Sequence, residues 1–337
     1  MKPNGFFLEE KNIPPIKKSN KRRLTVKKPE GKVLLKSNNT LSIYPLTRRV
    51  YRVAIQFLVE KQSVGYEIKV RSKTLSTRSI NTEYQKKYFF IEGKTPQRTV
   101  DQLAIACAEI LYPIQIIVNY DTGGKQISNH KQIRQKFEQG LPELQRNYKG
   151  EIFSQYIQEI QQDLANPGQF IQQLIYNDLF FALHTHTLYR SYPQSREVKS
   201  KIKLRVPKVS YPLTFTGKLK IDETYNSMIG FYIHFQGTAT SLSGQVYELF
   251  VEYNMDYIDY TVKDILAEVK TITEENKVTL CKMTCYQLRE EEPAPQEKEL
   301  QHAQYLQKQK EKEIEEEENY QKYLRKKRSW FDRLFNI

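Results

Sequence analysis

Ile258-Asp259-Tyr260-Thr261-Val262-Lys263-Asp264-Ile265-Leu266-Ala267-Glu268-Val269 is the stretch whose reading decides the fold. Ile258, Val262, Ile265, Leu266 and Val269 fall at i, i+4, i+7, i+8 and i+11, the stripe of an amphipathic helix. Strand patterns flank it. Upstream, Tyr247, Leu249, Val251 and Tyr253 alternate with polar residues, as do Phe231, Ile233 and Phe235, Val209 to Phe215, and Ile202, Leu204 and Val206. Gly237 to Gly244 reads as a hairpin loop, and Val278 to Tyr286 returns to strand. Residues 199–289 are therefore expected to run as antiparallel strands with one wet face, then a helix, then a strand.

The N-terminal half carries the same order. Tyr51, Val53, Ile55, Phe57 and Val59 alternate, and Tyr66, Ile68 and Val70 repeat the pattern after a break at Ser63-Val-Gly65. Tyr88-Phe-Phe-Ile91 suits a short buried strand. Val100, Leu103, Ala104, Cys107, Ile110 and Leu111 take helical spacing, Pro113 stops it, and Ile114 to Tyr120 resumes as strand before the Asp121-Thr-Gly-Gly124 turn. Residues 41–129 thus form one α+β segment and 199–289 a second, β-rich one. No residue-level repeat accompanies the parallel. Between them, residues 130–198 read as helical. Ile133 and Phe137 lie on a first helix that Gly140-Leu-Pro142 ends. Ile152, Tyr156, Ile160 and Leu164 recur every four residues on a second, and Phe170 to Ile175 continue past Asn166-Pro-Gly168.

The chain of 337 residues has a net charge of +14, unevenly spread. Residues 1–40 hold eleven Lys+Arg against three Glu, net +8, and read as a disordered basic arm. Its Lys17, Lys18, Lys21, Arg22 and Arg23 form a cluster that reads first as part of a solvated arm, and otherwise as a nuclear address or a nucleic-acid contact. Residues 290–318 carry eleven Glu against four Lys and form an acidic tether, solvated as a helix or linker. Residues 319–337 turn basic again, with Arg325, Lys326, Lys327 and Arg328 beside Tyr323, Leu324, Trp330, Phe331, Leu334 and Phe335. At 100° per residue those apolar side chains share one side of a helix, giving a basic-aromatic amphipathic terminal peptide.

The catalytic motifs that the sequence tempts one to see fail on their own chemistry. Asp121-Thr122-Gly123 matches the aspartic-protease triplet, but two carboxylates must share a proton there and a second triplet is missing. Gly123-Gly124-Lys125 lacks the upstream glycine of a phosphate-binding loop, and Gln126 stands where Ser or Thr would hold magnesium. His184 and His186 have no Cys, Asp or Glu within eight residues on the C-terminal side and only Asp178 nearby upstream, and Cys281 and Cys285 lack a second Cys or His pair for zinc. Cys107 sits on the helical stripe as a small hydrophobe. Neither a catalytic residue, a metal ligand nor a cofactor is assigned.

Three cysteines in 337 residues point to reduced thiols. The first ten residues lack a signal peptide's apolar core, and no stretch approaches about 18 uninterrupted apolar residues, so a cytoplasmic protein is expected. The functional expectation is a non-enzymatic scaffold or adaptor of a larger assembly. It would bind protein partners through its α+β body and dock by the terminal peptide. One alternative is a nucleic-acid-associated protein using the arm and basic sheet faces (Arg48, Arg49, Arg52, Lys69, Arg71, Lys73, Lys199, Lys201, Lys203 and Arg205). Another is attachment to an anionic membrane surface through the terminal peptide.

Overall fold

The computed structural model describes residues 31–290 apart from 34, 36–39, 42–45, 77, 274 and 275. In chain order the elements are β1 (Gly31–Lys32), β2 (Leu46–Phe57), β3 (Gln62–Ser76), β4 (Ser79–Ile91), α1 (Thr99–Leu111), β5 (Ile114–Asn119) and β6 (Lys125–Ile127). A helical run follows: α2 (His130–Asn147), α3 (Glu151–Ala165), α4 (Pro167–Asn177) and α5 (Leu179–His184). The remainder is strand: β7 (Glu197–Leu204), β8 (Leu213–Ile221), β9 (Thr224–Tyr225), β10 (Phe231–Thr240), β11 (Val246–Met255), β12 (Val262–Ile272) and β13 (Lys277–Glu290).

The expected α+β pattern, with a helix after each β segment, is overturned. Eleven strands join in one sheet, in the order β6-β5-β4-β3-β2-β13-β12-β11-β10-β8-β7, and every pairing is antiparallel. Residues 258–269 are not a helix. Val262 to Ile272 is β12, paired to β11 and β13 along its length. The mistaken period has a physical cause. Met255 pairs Val262 while Asn254 pairs Asp264, so Lys263 is an extra residue that bulges the strand. The bulge puts Val262 and Ile265 on the buried face three residues apart, mimicking a helical step. Beyond it the period is two: Ile265, Ala267 and Val269 are buried and Leu266 is 44% exposed. A helical stripe includes Leu266 and omits Ala267; the strand reverses both.

The two β segments share one sheet, since β2 pairs β13 from Phe57↔Cys281 to Arg49↔Glu290. Further expectations fail locally. Gly31–Lys32, inside the expected disordered arm, pairs with β9, and Val33 is buried to 2% exposure. Gly140-Leu-Pro142 does not end a helix, because α2 runs through it to Asn147. A Cβ on Gly140 would lie 2.7 Å from Ile110 Cδ1, so the glycine serves the close approach of α1. Ile133, Phe137 and Leu144 bury on both sides of Pro142 and offset its lost hydrogen bond. On α3 a step of four drifts about 40° per repeat, and Ile152 ends 66% exposed while Ile157 and Leu164 are buried. Tyr88, at positive φ, is 64% exposed; the buried part of β4 is Ile80 to Lys86. Gly237 lies within β10, and the loop to β11 starts at Ser241.

Elsewhere the alternation in sequence becomes alternation in burial. It is cleanest on β11, where Tyr247, Leu249, Val251 and Tyr253 hold the inward positions. The buried faces of all these strands converge on one core that also takes in the helices. Helix α5, Leu179-Phe-Phe-Ala-Leu-His184, supplies Phe180, Phe181 and Leu183 at full burial. It packs against β13 at the middle of the sheet order and β7 at one end, and α4 packs against both β6 and β7, the two edge strands. The sheet therefore curls around α5, and α4 sits where its edges face each other.

Candidate functional site

Asp178 organises the entry to α5. Its carboxylate accepts the amide hydrogens of Phe180 (2.9 Å) and Phe181 (3.3 Å), satisfying donors that the first turn leaves open. It also accepts from the Tyr66 hydroxyl at 3.2 Å and is ion-paired with Lys86. The Lys86 ammonium lies 4.0 Å from the centre of the Tyr66 ring and 5.1 Å from that of Phe181. A lysine on the inward face of β4 is thus held by one carboxylate and two rings.

His184 and His186 serve opposite walls. His184 Nδ1 meets the Tyr84 hydroxyl of β4 at 3.0 Å, and the ring stacks on Phe180. His186 Nε2 meets the Ser200 hydroxyl of β7 at 3.0 Å and lies edge-on to Phe235. Burial pulls His184 down to about 4 and His186 to about 3, the latter with help from Lys125 and Arg190, so both are neutral near pH 7. The Tyr253 hydroxyl donates to the Leu183 carbonyl at 3.2 Å, and that of Tyr51 to the Val262 carbonyl at 2.6 Å. Burial pushes Cys281 up to about 12 and Cys107 to about 11, and raises Cys285 as well. Such thiols pack rather than react. Among the described residues, no group of three or more His, Cys, Asp or Glu could hold a metal ion.

The Asp121-Thr-Gly-Gly124 segment is a turn. Asn119 Oδ1 accepts the amides of Asp121 and Thr122 at 3.0 Å each, Gly123 sits at φ +71°, and Asp121 pairs with Arg78 at 3.0 Å. Beyond the turn, Lys125 opens β6 and faces a cleft of about 370 Å³ between the sheet edges. Ile171, Gln172, Ile175 and Tyr176 line it from α4, Ala182 and His186 from α5 and its end, and Lys201, Ile202 and Lys203 from β7. Burial pulls the Lys125 ammonium down to about 8. In the sequence, Gly123-Gly124-Lys125 reads only as a failed nucleotide loop. The partner lysines lie more than seventy residues away, so no local signal joins them.

The basic strand residues separate into two kinds. Arg49 does not face outward: it is buried, with Nη2 donating to Asp259 at 2.5 Å and to Thr261 at 3.2 Å. Arg52 is paired with Glu67. Lys199, Lys201 and Lys203 are exposed on β7, next to exposed Lys218 and Lys220 of β8, with Lys199 directly opposite Lys218. The remaining sequence-derived sites lie outside the described residues. These are Lys17, Lys18, Lys21, Arg22 and Arg23 of the arm and Tyr323, Leu324, Arg325, Lys326, Lys327, Arg328, Trp330, Phe331, Leu334 and Phe335 of the terminal peptide. The acidic tether from 291 does too.

No protein-family model and no curated protein matches the chain. Among solved structures it is similar to one of lipovitellin, described as "lipid-protein interactions in lipovitellin", with a TM-score of 0.38 and 10% identity. The match covers 74% of this chain and 26% of that one, so this chain spans about a quarter of the other's length. At that score and identity the likeness carries no functional information. Among the described residues, no helix is long and apolar enough to cross a membrane.

Proposed function

We propose that the protein is a non-enzymatic scaffold or adaptor of a cytoplasmic assembly. The observation that supports this is how the ionisable groups inside the sheet are used. Asp178, Lys86, His184, Tyr66, Tyr84 and Tyr253 hold α5 against the strands, His186 ties the segment just after it to β7, and the sheet's interior is filled by side chains. A body packed this way offers its outer faces and its terminal segments for recognition. Three free, buried cysteines suit a reducing compartment. The test is partner recovery from lysate with the full chain and with a chain ending at residue 318. Recovery of the same proteins by both removes the terminal peptide as the docking element.

A second reading is nucleic-acid association, and the β7–β8 surface favours it. Lys199 opposite Lys218 is a like-charge pair that costs stability unless an anion lies over it. Glu197, 2.7 Å from the Lys218 ammonium, relieves that cost in part. Binding through these lysines should weaken steeply between about 50 and 200 mM salt, and a flat response would exclude it.

A further inference from the structure

The cleft between the sheet edges combines features that structure alone does not require. Its floor is apolar, formed by Ile171, Ile175 and Ile202, which are buried. Its charged groups are all cationic: Lys125, Lys201 and Lys203 line it, beside the neutral Gln172, Tyr176 and His186, and no lining residue is Asp or Glu. Among the described residues none of the three lysines has a carboxylate partner. Lys203 Nζ instead lies 4.7 Å from the centre of the Tyr176 ring. Lysines on edge strands ordinarily deter sheet-to-sheet pairing by pointing into water. Exposed Lys201 and Lys203 could be explained that way, but Lys125 is drawn into the cleft and loses hydration there.

A second hollow differs in its lining. On the outer sheet face, Lys69, Arg71, Glu83, Gln85 and Lys87 line a space of about 220 Å³, and Arg71 pairs with Glu83 at 3.4 Å. It holds a carboxylate among its three cations, and it has no apolar floor. The seam cleft differs on both counts, with positive charge, no lining carboxylate and an apolar floor. The start of α4 does not add to the charge, since Asn166 Oδ1 already accepts the amides of Gly168 and Gln169. A bare inorganic anion would leave the isoleucines unused, and an uncharged apolar molecule would bury the lysines unpaired. A volume of about 370 Å³ suits a small ligand.

We propose that the seam cleft binds a small organic anion, a carboxylate or phosphate head on an apolar body. Lys125 and Lys203 hold the head, Lys201 adds positive charge at the rim, and Ile171, Ile175 and Ile202 take the body. The full chain, titrated into 8-anilinonaphthalene-1-sulfonate, should give saturable fluorescence that decanoate and decyl phosphate displace. Their relative potency distinguishes a carboxylate head from a phosphate head. Decyltrimethylammonium should not compete, and inorganic phosphate alone should compete far more weakly. Lys125→Met should weaken binding about tenfold or more, as should Lys201→Gln with Lys203→Gln, both exposed changes that leave the core intact. Lys69→Gln with Arg71→Gln, at the outer hollow, should bind as the parent does. The proposal fails if binding is not saturable, if both cleft variants match the parent, if the cationic amphiphile competes equally, or if phosphate alone suffices. If Lys125→Met does not fold, the double variant decides.

Discussion

Asp178→Ala should destabilise the protein more than Lys86→Met, although the two residues form one ion pair. The Asp178 and Lys86 side chains are 18% and 9% exposed, so neither has ready recourse to water. Removing the carboxylate loses the cap on α5, worth about 1 kcal/mol. It also leaves the Lys86 ammonium buried without its counter-charge; breaking a buried pair from one side costs about 3–5 kcal/mol. The rings of Tyr66 and Phe181 recover a part of that, about 1 kcal/mol. A loss of about 4 kcal/mol follows. In Lys86→Met the carboxylate keeps two amide donors and the Tyr66 hydroxyl, and methionine fills the space of the lysine stem. A loss of about 1–2 kcal/mol is expected there. Urea unfolding followed by circular dichroism on both single variants and the double variant measures the asymmetry and the coupling. If Lys86→Met costs as much as Asp178→Ala, the carboxylate does not organise this corner of the core.

The strand assignment of β12 predicts that Ala267→Leu overpacks the core and costs about 1–3 kcal/mol, whereas Leu266→Ser on the outer face costs less than about 1 kcal/mol. Thermal unfolding checks both, and a helix would give the opposite order. A neutral buried histidine takes up a proton in the unfolded chain before it does in the folded one. Stability should therefore fall as pH drops from about 6.5 towards 4 for His184 and 3 for His186, by up to about 1.4 kcal/mol per pH unit each. Urea midpoints at pH 7 and 5 read this, and a His184→Gln, His186→Gln chain with the same pH slope would contradict it. A Cβ on Gly217 would lie 2.0 Å from the Gln236 carbonyl oxygen, across the β8–β10 ladder, so Gly217→Ala should lower stability by at least about 1 kcal/mol. A variant melting within about 1 °C of the parent would show that the ladder shifts freely.

What is legible in the sequence is local. β2, β3, β7, β10 and β11 show as alternation because each buries one face with period two. α1 shows because Leu103 and Cys107 lie one turn apart on its stripe. β12 is lost to a single bulged residue, Lys263, which resets its phase. α5 is not legible as a separate element, since six residues buried on nearly all sides show no period. The meeting of Lys125 with Lys201 and Lys203 depends on the curl of the whole sheet, which no window of sequence contains.

The pairing of β2 with β13 also orders events in time. Its register runs to Arg49↔Glu290, so the central ladder joins residues about 240 positions apart. During synthesis β2 can pair with β3 on one side as soon as the hairpin emerges, while its other edge waits for nearly the whole described chain. Such non-local closure makes folding slow, and it leaves a long strand edge open to foreign chains meanwhile. Of the edges that the finished sheet pairs, that of β2 waits longest for its partner strand.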